Sequence, residues 1–82
     1  MTVRIERPKT CLAPMPGHGN AVFYGWAFVN GKRVGTVDKF DSGKYRFAPD
    51  YDRNNPATHG LKNCITERTL SALKKQIGFK YE

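Results

Sequence analysis

The sequence predicts an α+β domain: an antiparallel β-meander of three strands, or of four if the N-terminal segment joins it, packed on one C-terminal α-helix. Three observations predict this fold. A segment rich in β-forming residues leads directly into Asn30-Gly31, a second turn sequence follows at residues 41–43, and apolar residues at helical spacing close the chain. A chain of 82 residues is expected to form one domain, 1–82, with a thin core.

The strands are predicted at about 2–7, 21–29, 32–40 and 44–48. Residues 21–29 read Ala-Val-Phe-Tyr-Gly-Trp-Ala-Phe-Val, a run of aromatic and β-branched side chains typical of a strand. Asn30-Gly31 suits a two-residue type I′ turn, which requires φ > 0 at both positions. Gly43 suits the left-handed position of a three-residue hairpin, and Pro49 ends the last strand.

These two turns predict a register for the meander. They set Tyr24 opposite Val37, Trp26 opposite Gly35 and Val37 opposite Phe47. The predicted core face carries Val22, Tyr24, Trp26, Phe28, Val37, Tyr45 and Phe47. The predicted second face, mostly polar, carries Phe23, Gly25, Ala27, Lys32, Val34, Thr36, Asp38, Phe40, Lys44, Arg46 and Ala48.

The helix is predicted at about 67–77. Thr66 is the expected N-cap, Gly78 the expected C′ residue, and Phe79 is expected to fold back on Leu73. The apolar stripe, which must be buried against the aromatic face of the sheet, is Leu70, Leu73 and Ile77. Residues 50–61 are predicted to form a polar loop that is long for so small a domain.

The charge balance indicates the class of partner. Fourteen Lys and Arg residues stand against seven Asp and Glu, which gives +7 and a pI near 9.7. Such a field attracts polyanions, of which nucleic acid is the commonest in a cytoplasm. The alternative is that net charge only keeps the protein soluble. The N-terminus lacks the apolar region of a signal peptide and no apolar run is long enough to span a membrane, so a cytoplasmic location is expected.

The second face of the meander is therefore the candidate nucleic-acid interface. Basic groups neutralise phosphates, and flat rings stack on bases or reach base methyl groups. Three strands and one C-terminal helix are also similar, in arrangement alone, to two families of DNA-binding domain, one of them the integrase arm-binding type, but the chain has no motif that is diagnostic of either family. The candidate contacts are Phe23, Lys32, Arg33, Lys39, Phe40, Lys44 and Arg46, with Lys74 and Lys75 on the helix. The alternative is a solvated face whose lysines prevent edge-to-edge aggregation.

A second hypothesis is a small protein-binding modulator of the phage or mobile-element accessory type. Such a protein docks on a host protein complex and inhibits it. In this case the exposed aromatic residues and the loop at 50–61 would form the contact surface. Recovery of one stoichiometric protein partner, insensitive to nuclease, would favour this hypothesis over nucleic-acid binding.

The chain has only two cysteines and two histidines, and these four residues are a candidate zinc set: Cys11, His18, His59 and Cys64. Two thiolates and two imidazoles suit a closed tetrahedral zinc site. However, the Cys-x6-His and His-x4-Cys spacings match no known zinc finger, so no cofactor is expected and zinc is the minor alternative. Cys64 is otherwise a small buried residue. No spacing is diagnostic of catalysis, so a non-enzymatic protein is expected.

Overall fold

A computed structural model describes residues 2–8, 21–58 and 63–81 of the chain. Within these residues the strands follow the order β1-β2-β3-β4-β5 in one sheet, and every neighbouring pair is antiparallel. The elements are β1 (Val3–Glu6), β2 (Val22–Val29), β3 (Lys32–Lys39), β4 (Tyr45–Pro49), a 3₁₀ turn (Pro56–Thr58), β5 (Ile65–Glu67) and α1 (Leu70–Lys80). The α+β class with an antiparallel sheet and a C-terminal helix is confirmed. The predicted count of three or four strands is wrong, because the sheet has five.

Both predicted turns are confirmed by their backbone conformation. Asn30 has φ 52° and Gly31 has φ 83°, as a type I′ turn requires, and Gly43 has φ 90°. The second turn also fixes the ladder between β3 and β4 as predicted, with Val37 opposite Phe47. Because local residues decide the geometry of a tight turn, the sequence was sufficient here.

The ladder between β2 and β3 differs from the prediction in its middle section. Gly25 pairs with Val37 and Trp26 pairs with Thr36, so both predicted partners on β2 are wrong by one residue. A register shift lies on each side of this section. In the first shift Tyr24 of β2 has no opposite residue on β3, and in the second Val34 of β3 has no opposite residue on β2. These are β-bulges, and one extra residue turns the side chains that follow it to the opposite face.

Both bulges lie beside a glycine that has no room for a side chain. A Cβ atom on Gly25 would overlap the backbone oxygen of Glu6, and one on Gly35 would overlap the backbone oxygen of Ala48 and the ring of Phe47. Glycine inside a strand often marks such a bulge or a close approach of another backbone. The two glycines therefore allow the irregular register that the turns alone do not predict.

The core lies between the sheet and α1, which packs against β1, β4 and β5. Its buried cluster is Ala27, Val29, Val37, Phe47, Leu73 and Ile77, with Val3, Ile5, Tyr24, Val34, Tyr45, Ile65, Leu70 and Tyr81 packed around it. The predicted core is confirmed for the helix stripe and for Tyr24, Val37, Tyr45 and Phe47. It is wrong for Val22, which is exposed, and for Trp26 and Phe28.

Trp26 and Phe28 lie on the other side of the sheet because they alternate with Gly25, Ala27 and Val29 along β2. Gly25 and Ala27 are buried on the helix side, contrary to their predicted place on the polar face. Ala27 is fully buried in one cluster with Leu73 and Ile77, and the backbone of Glu6 fills the space beside Gly25.

The helix begins later than predicted. Residues 65–67, partly assigned to the start of the helix, form the edge strand β5, with Ile65 opposite Phe47. Ile65 and Thr66 are β-branched, and β4 supplies hydrogen-bond partners for their backbone. The N-cap is Thr69 rather than Thr66, and its side chain accepts a hydrogen bond from the Ala72 N–H at 3.1 Å.

The helix also ends later than predicted. Gly78 lies inside α1 rather than at C′, and Tyr81 is the C-cap. A Cβ atom on Gly78 would lie 3.6 Å from the Val3 side chain, which is an ordinary contact. Phe79 does not fold back on Leu73, since it is 56% exposed. Among the described residues, no helix is both long enough and apolar enough to cross a membrane.

Candidate nucleic-acid interface

The side of the sheet opposite α1 carries a group of aromatic and charged side chains, called here the open face. Strand alternation places these residues away from the core, and no helix of the described part of the chain covers them. The aromatic members are Phe23, Trp26, Phe28 and Phe40, and the charged members are Arg4, Glu6, Arg33, Asp38 and Arg46. All four aromatic side chains are half-buried by their neighbours.

Three of the aromatic rings follow β2. The Phe23 and Trp26 rings meet edge to face, with centroids 5.2 Å apart and an interplanar angle of 63°. Phe28 lies two residues beyond Trp26, a step of about 6.6 Å along a strand. The open side of β2 thus carries three rings in one row.

Two arginines stack on rings of the open face. The Cζ atom of Arg4 lies 4.8 Å from the centroid of the Phe28 ring, and that of Arg46 lies 4.9 Å from the centroid of the Phe40 ring. These distances are within the range of cation–π contacts. The stacking holds each guanidinium beside a ring, where its N–H groups can reach a molecule bound to the face.

Each arginine of the open face also has a carboxylate partner. Arg4 pairs with Glu6 at 2.9 Å, and Arg33 contacts both oxygens of Asp50 at 3.0 and 3.2 Å. Arg46 lies 3.4 Å from Asp38, whose side chain is only 5% exposed. The charges of the open face are therefore balanced locally. Among the residues that the structure describes, the surplus of basic side chains lies outside this face.

The structure brings together four of the sequence-predicted contacts and separates the other five. Phe23, Phe40, Arg33 and Arg46 lie on the open face or at its margin, and β3 and β4 pair Asp38 with Arg46 as predicted. Lys32 is exposed at the end of the hairpin, opposite Val29. The others lie on the helix side: Lys39 over the Tyr45 ring, Lys44 near the start of α1, and Lys74 and Lys75 on its exposed surface.

Sequence reasoning missed Arg4, Trp26 and Phe28 as members of this surface. The turns alone predict an unbroken ladder, which places Trp26 and Phe28 in the core. Gly25 and Gly35 were the available signal, because isolated glycines inside strands indicate bulges. Arg4 was missed because β1 was not assigned a partner, whereas it pairs with β2 and places Arg4 opposite Phe28.

Beside Arg33, a small cavity of about 180 Å³ opens between β3, the loop after β4 and the end of α1. Tyr51 lies at this cavity and is 74% exposed, and Tyr81 closes it on the helix side. Burial raises the pKa of Tyr81, and the negative charge of Asp50 raises it further. Thr58 braces the loop, since its hydroxyl accepts a hydrogen bond from the Asp52 N–H at 2.9 Å.

The zinc set stays a prediction, because Cys11, His18 and His59 lie outside the described residues. Cys64 is half-buried and has a free thiol. Within residues 2–8, 21–58 and 63–81, no three His, Cys, Asp or Glu side chains gather where they could hold a metal ion.

Comparison with known proteins finds no family model, no curated protein and no solved structure that matches the chain.

Proposed function

We propose that this protein is a small non-enzymatic module that binds single-stranded nucleic acid with its bases stacked on the open face. The observation that carries the proposal is the row of Phe23, Trp26 and Phe28 along the side of β2 that α1 leaves uncovered. Partly exposed rings that are grouped on the outside of a small domain suit a binding surface. Every base has a flat face, so such a row binds single strands with little dependence on sequence.

The arginines support the proposal through their positions rather than their net charge. Arg4 and Arg46 are held against Phe28 and Phe40, which places guanidinium donors where the edges of stacked bases would lie. The surplus basic residues outside the open face supply the long-range attraction for a polyanion. Paired bases in a duplex hide their flat faces from such a surface, so single strands are the favoured ligand.

Trp26 is the only tryptophan in the chain, and its place on the open face makes its fluorescence a direct reporter of base stacking. Titration with short oligothymidylate and, separately, oligouridylate at low salt should quench this fluorescence. The relative affinities of the two probes then distinguish DNA from RNA. Stacking is worth about 1–3 kcal/mol per base, so Phe28→Leu should weaken binding about 5- to 150-fold.

Phe79→Ala is the matched control. It removes an exposed ring from α1, on the opposite side of the sheet, and should leave the affinity unchanged. Circular dichroism of both variants checks that the fold is retained. If the wild-type protein shows no quenching at low salt, or if Phe79→Ala weakens binding as much as Phe28→Leu, the proposal is wrong.

A second candidate function is that of a protein-binding modulator, such as an accessory protein that inhibits a host complex. One observation favours it: the three arginines of the open face each have a carboxylate partner, so the face is aromatic and charge-balanced. Aromatic residues and Arg are the residues enriched at the centres of protein interfaces. Nuclease-treated affinity capture should then recover one stoichiometric protein with the wild type and with Phe79→Ala, and lose it with Phe28→Leu.

A further inference from the structure

A second aromatic group lies on the helix side of the sheet, at the end where β2 begins and β3 ends. The Tyr24 and Tyr45 rings meet edge to face with centroids 5.2 Å apart. The Cζ atom of Arg7 lies 4.2 Å from the Tyr24 centroid, and the Nζ atom of Lys39 lies 5.6 Å from the Tyr45 centroid. These four residues are called here the tyrosine cluster.

The bulge in β2 creates this cluster. Tyr24 is the extra residue of β2, so it shares the helix side with Gly25 while Phe23, its neighbour in sequence, lies on the open face. Tyr45 is opposite Lys39 in the ladder between β3 and β4. An unbroken β2 would have placed Tyr24 among large core rings rather than beside Arg7.

The cations of the tyrosine cluster differ in their partners from those of the open face. On the open face, Arg4, Arg33 and Arg46 each form an ion pair with a carboxylate. Among the described residues, no carboxylate lies within ion-pair distance of Arg7 or Lys39. Arg7 donates one hydrogen bond from Nε to the Tyr24 backbone oxygen at 3.2 Å, which uses one of its five N–H donors. Both side chains are exposed. Within the described part of the chain they are therefore preorganised cations that have no paired carboxylate.

We infer that the tyrosine cluster binds the phosphate backbone of the same strand whose bases stack on the open face. Phe40 and Lys39 are consecutive residues on opposite faces, and Phe23 and Tyr24 are related in the same way. A strand that leaves the rings of Phe23 and Phe40 thus turns over this end of the sheet onto Lys39 and Arg7. The inference rests on the proposed function, to which it adds the path of the strand and the source of the salt dependence.

The salt dependence of binding tests this path. Each phosphate contact contributes about 0.7 to the slope of the logarithm of affinity against the logarithm of salt concentration for a single strand. Lys39→Gln and Arg7→Gln should each reduce the magnitude of this slope for oligothymidylate by about that amount. The fluorescence of Trp26 should still be quenched at saturation. Lys75→Gln removes the same charge from the exposed surface of α1 and should change the slope less.

A probe that has phosphates but no bases separates the two surfaces. Inorganic tripolyphosphate should shift the side-chain NMR signals of Tyr24 and Tyr45, and Lys39→Gln should reduce its affinity while Phe28→Leu leaves it unchanged. If Lys39→Gln and Arg7→Gln change the slope no more than Lys75→Gln does while Phe28→Leu weakens binding, the inference is wrong and the proposed function stands. If tripolyphosphate binds and oligonucleotides do not, the proposed function fails, and the path inferred for the strand fails with it. If neither binds, both fail.

Discussion

Gly25 lies opposite Val37 in the ladder between β2 and β3, and this pairing decides which side of β2 carries its large rings. Val37 faces the helix, so Gly25 and Ala27 face it too, and Trp26 and Phe28 lie on the open face. A shift of one residue would exchange the two sets. Gly25 therefore determines both the packing of the core and the surface available for binding.

Replacing Gly25 should destabilise the fold. In Gly25→Ala the new Cβ atom would overlap the Glu6 backbone, which is held in the ladder between β1 and β2, so we expect a loss of about 1–3 kcal/mol in the free energy of unfolding. Gly78→Ala is the matched control: its Cβ atom has space inside α1, and it should stabilise the protein by about 0.5–1 kcal/mol. Urea denaturation measures both changes. Equal effects of the two substitutions would contradict the assigned register.

The two faces of the sheet should respond differently to loss of a ring. Phe47 is fully buried against Leu73 and Ile77, so Phe47→Ala should cost about 3–5 kcal/mol, enough to unfold a domain of this size. Phe47→Leu, which keeps most of the volume, should cost less and remain measurable by thermal denaturation. Trp26→Ser, on the open face, should cost less than Phe47→Leu. The reverse order would place Trp26 in the core.

Asn30 should contribute to stability in two separable ways. Its φ of 52° is unfavourable for most residues, and its Oδ1 atom accepts a hydrogen bond from the Thr2 N–H at 3.0 Å. Asn30→Gly keeps the backbone conformation and loses only the hydrogen bond, an expected cost of about 0.5–1.5 kcal/mol. Asn30→Ala should cost about 1 kcal/mol more, because alanine resists the left-handed conformation. Chemical denaturation gives the free energy of unfolding of both variants. Equal values for Asn30→Gly and Asn30→Ala would exclude backbone strain in the alanine variant.

The ion pair between Asp38 and Arg46 should stabilise the sheet more than an exposed pair does. Their side chains are 5% and 19% exposed, whereas those of Glu6 and Arg4 are 43% and 60% exposed. A double-mutant cycle with Asp38→Asn and Arg46→Gln should give a coupling of about 1–3 kcal/mol. The corresponding cycle for Arg4 and Glu6 should give about 0.5 kcal/mol or less. Equal couplings would mean that burial of the first pair has no energetic consequence.

Stability should fall at alkaline pH through Tyr81. Burial and the charge of Asp50 raise the pKa of Tyr81 above its ordinary value of 10.0, so the folded protein keeps this proton where the unfolded chain loses it. The resulting stabilisation is fully present below about pH 10 and is lost as the pH rises through the folded-state pKa. Asp50→Asn should lower this pKa. Absorbance titration measures it, with Tyr81→Phe as the reference that lacks this phenol group. An unchanged pKa in Asp50→Asn would exclude the contribution of its charge.

Local chemistry explains which predictions from sequence succeed. Asn30-Gly31 and Gly43 predict their turns because few residues adopt positive φ, and the helix stripe of Leu70, Leu73 and Ile77 follows from spacing alone. Predictions that need long-range pairing are less complete. The segment at 65–67 forms an edge strand only because β4 lies beside it. The residue at which α1 begins then follows from where β5 ends.

The sequence by itself determined the α+β class, both turns, the ladder between β3 and β4 and the basic charge of the chain. Only the tertiary structure decided which face of β2 is buried, because that depends on how β2 pairs with β1 and β3, which are distant in sequence or interrupted by bulges. Gly25 leaves room for the backbone of Glu6, and Ala27 packs in the buried cluster with Leu73 and Ile77, so Trp26 and Phe28 lie on the open face. The same packing separates the balanced arginines of that face from Arg7 and Lys39 on the other side.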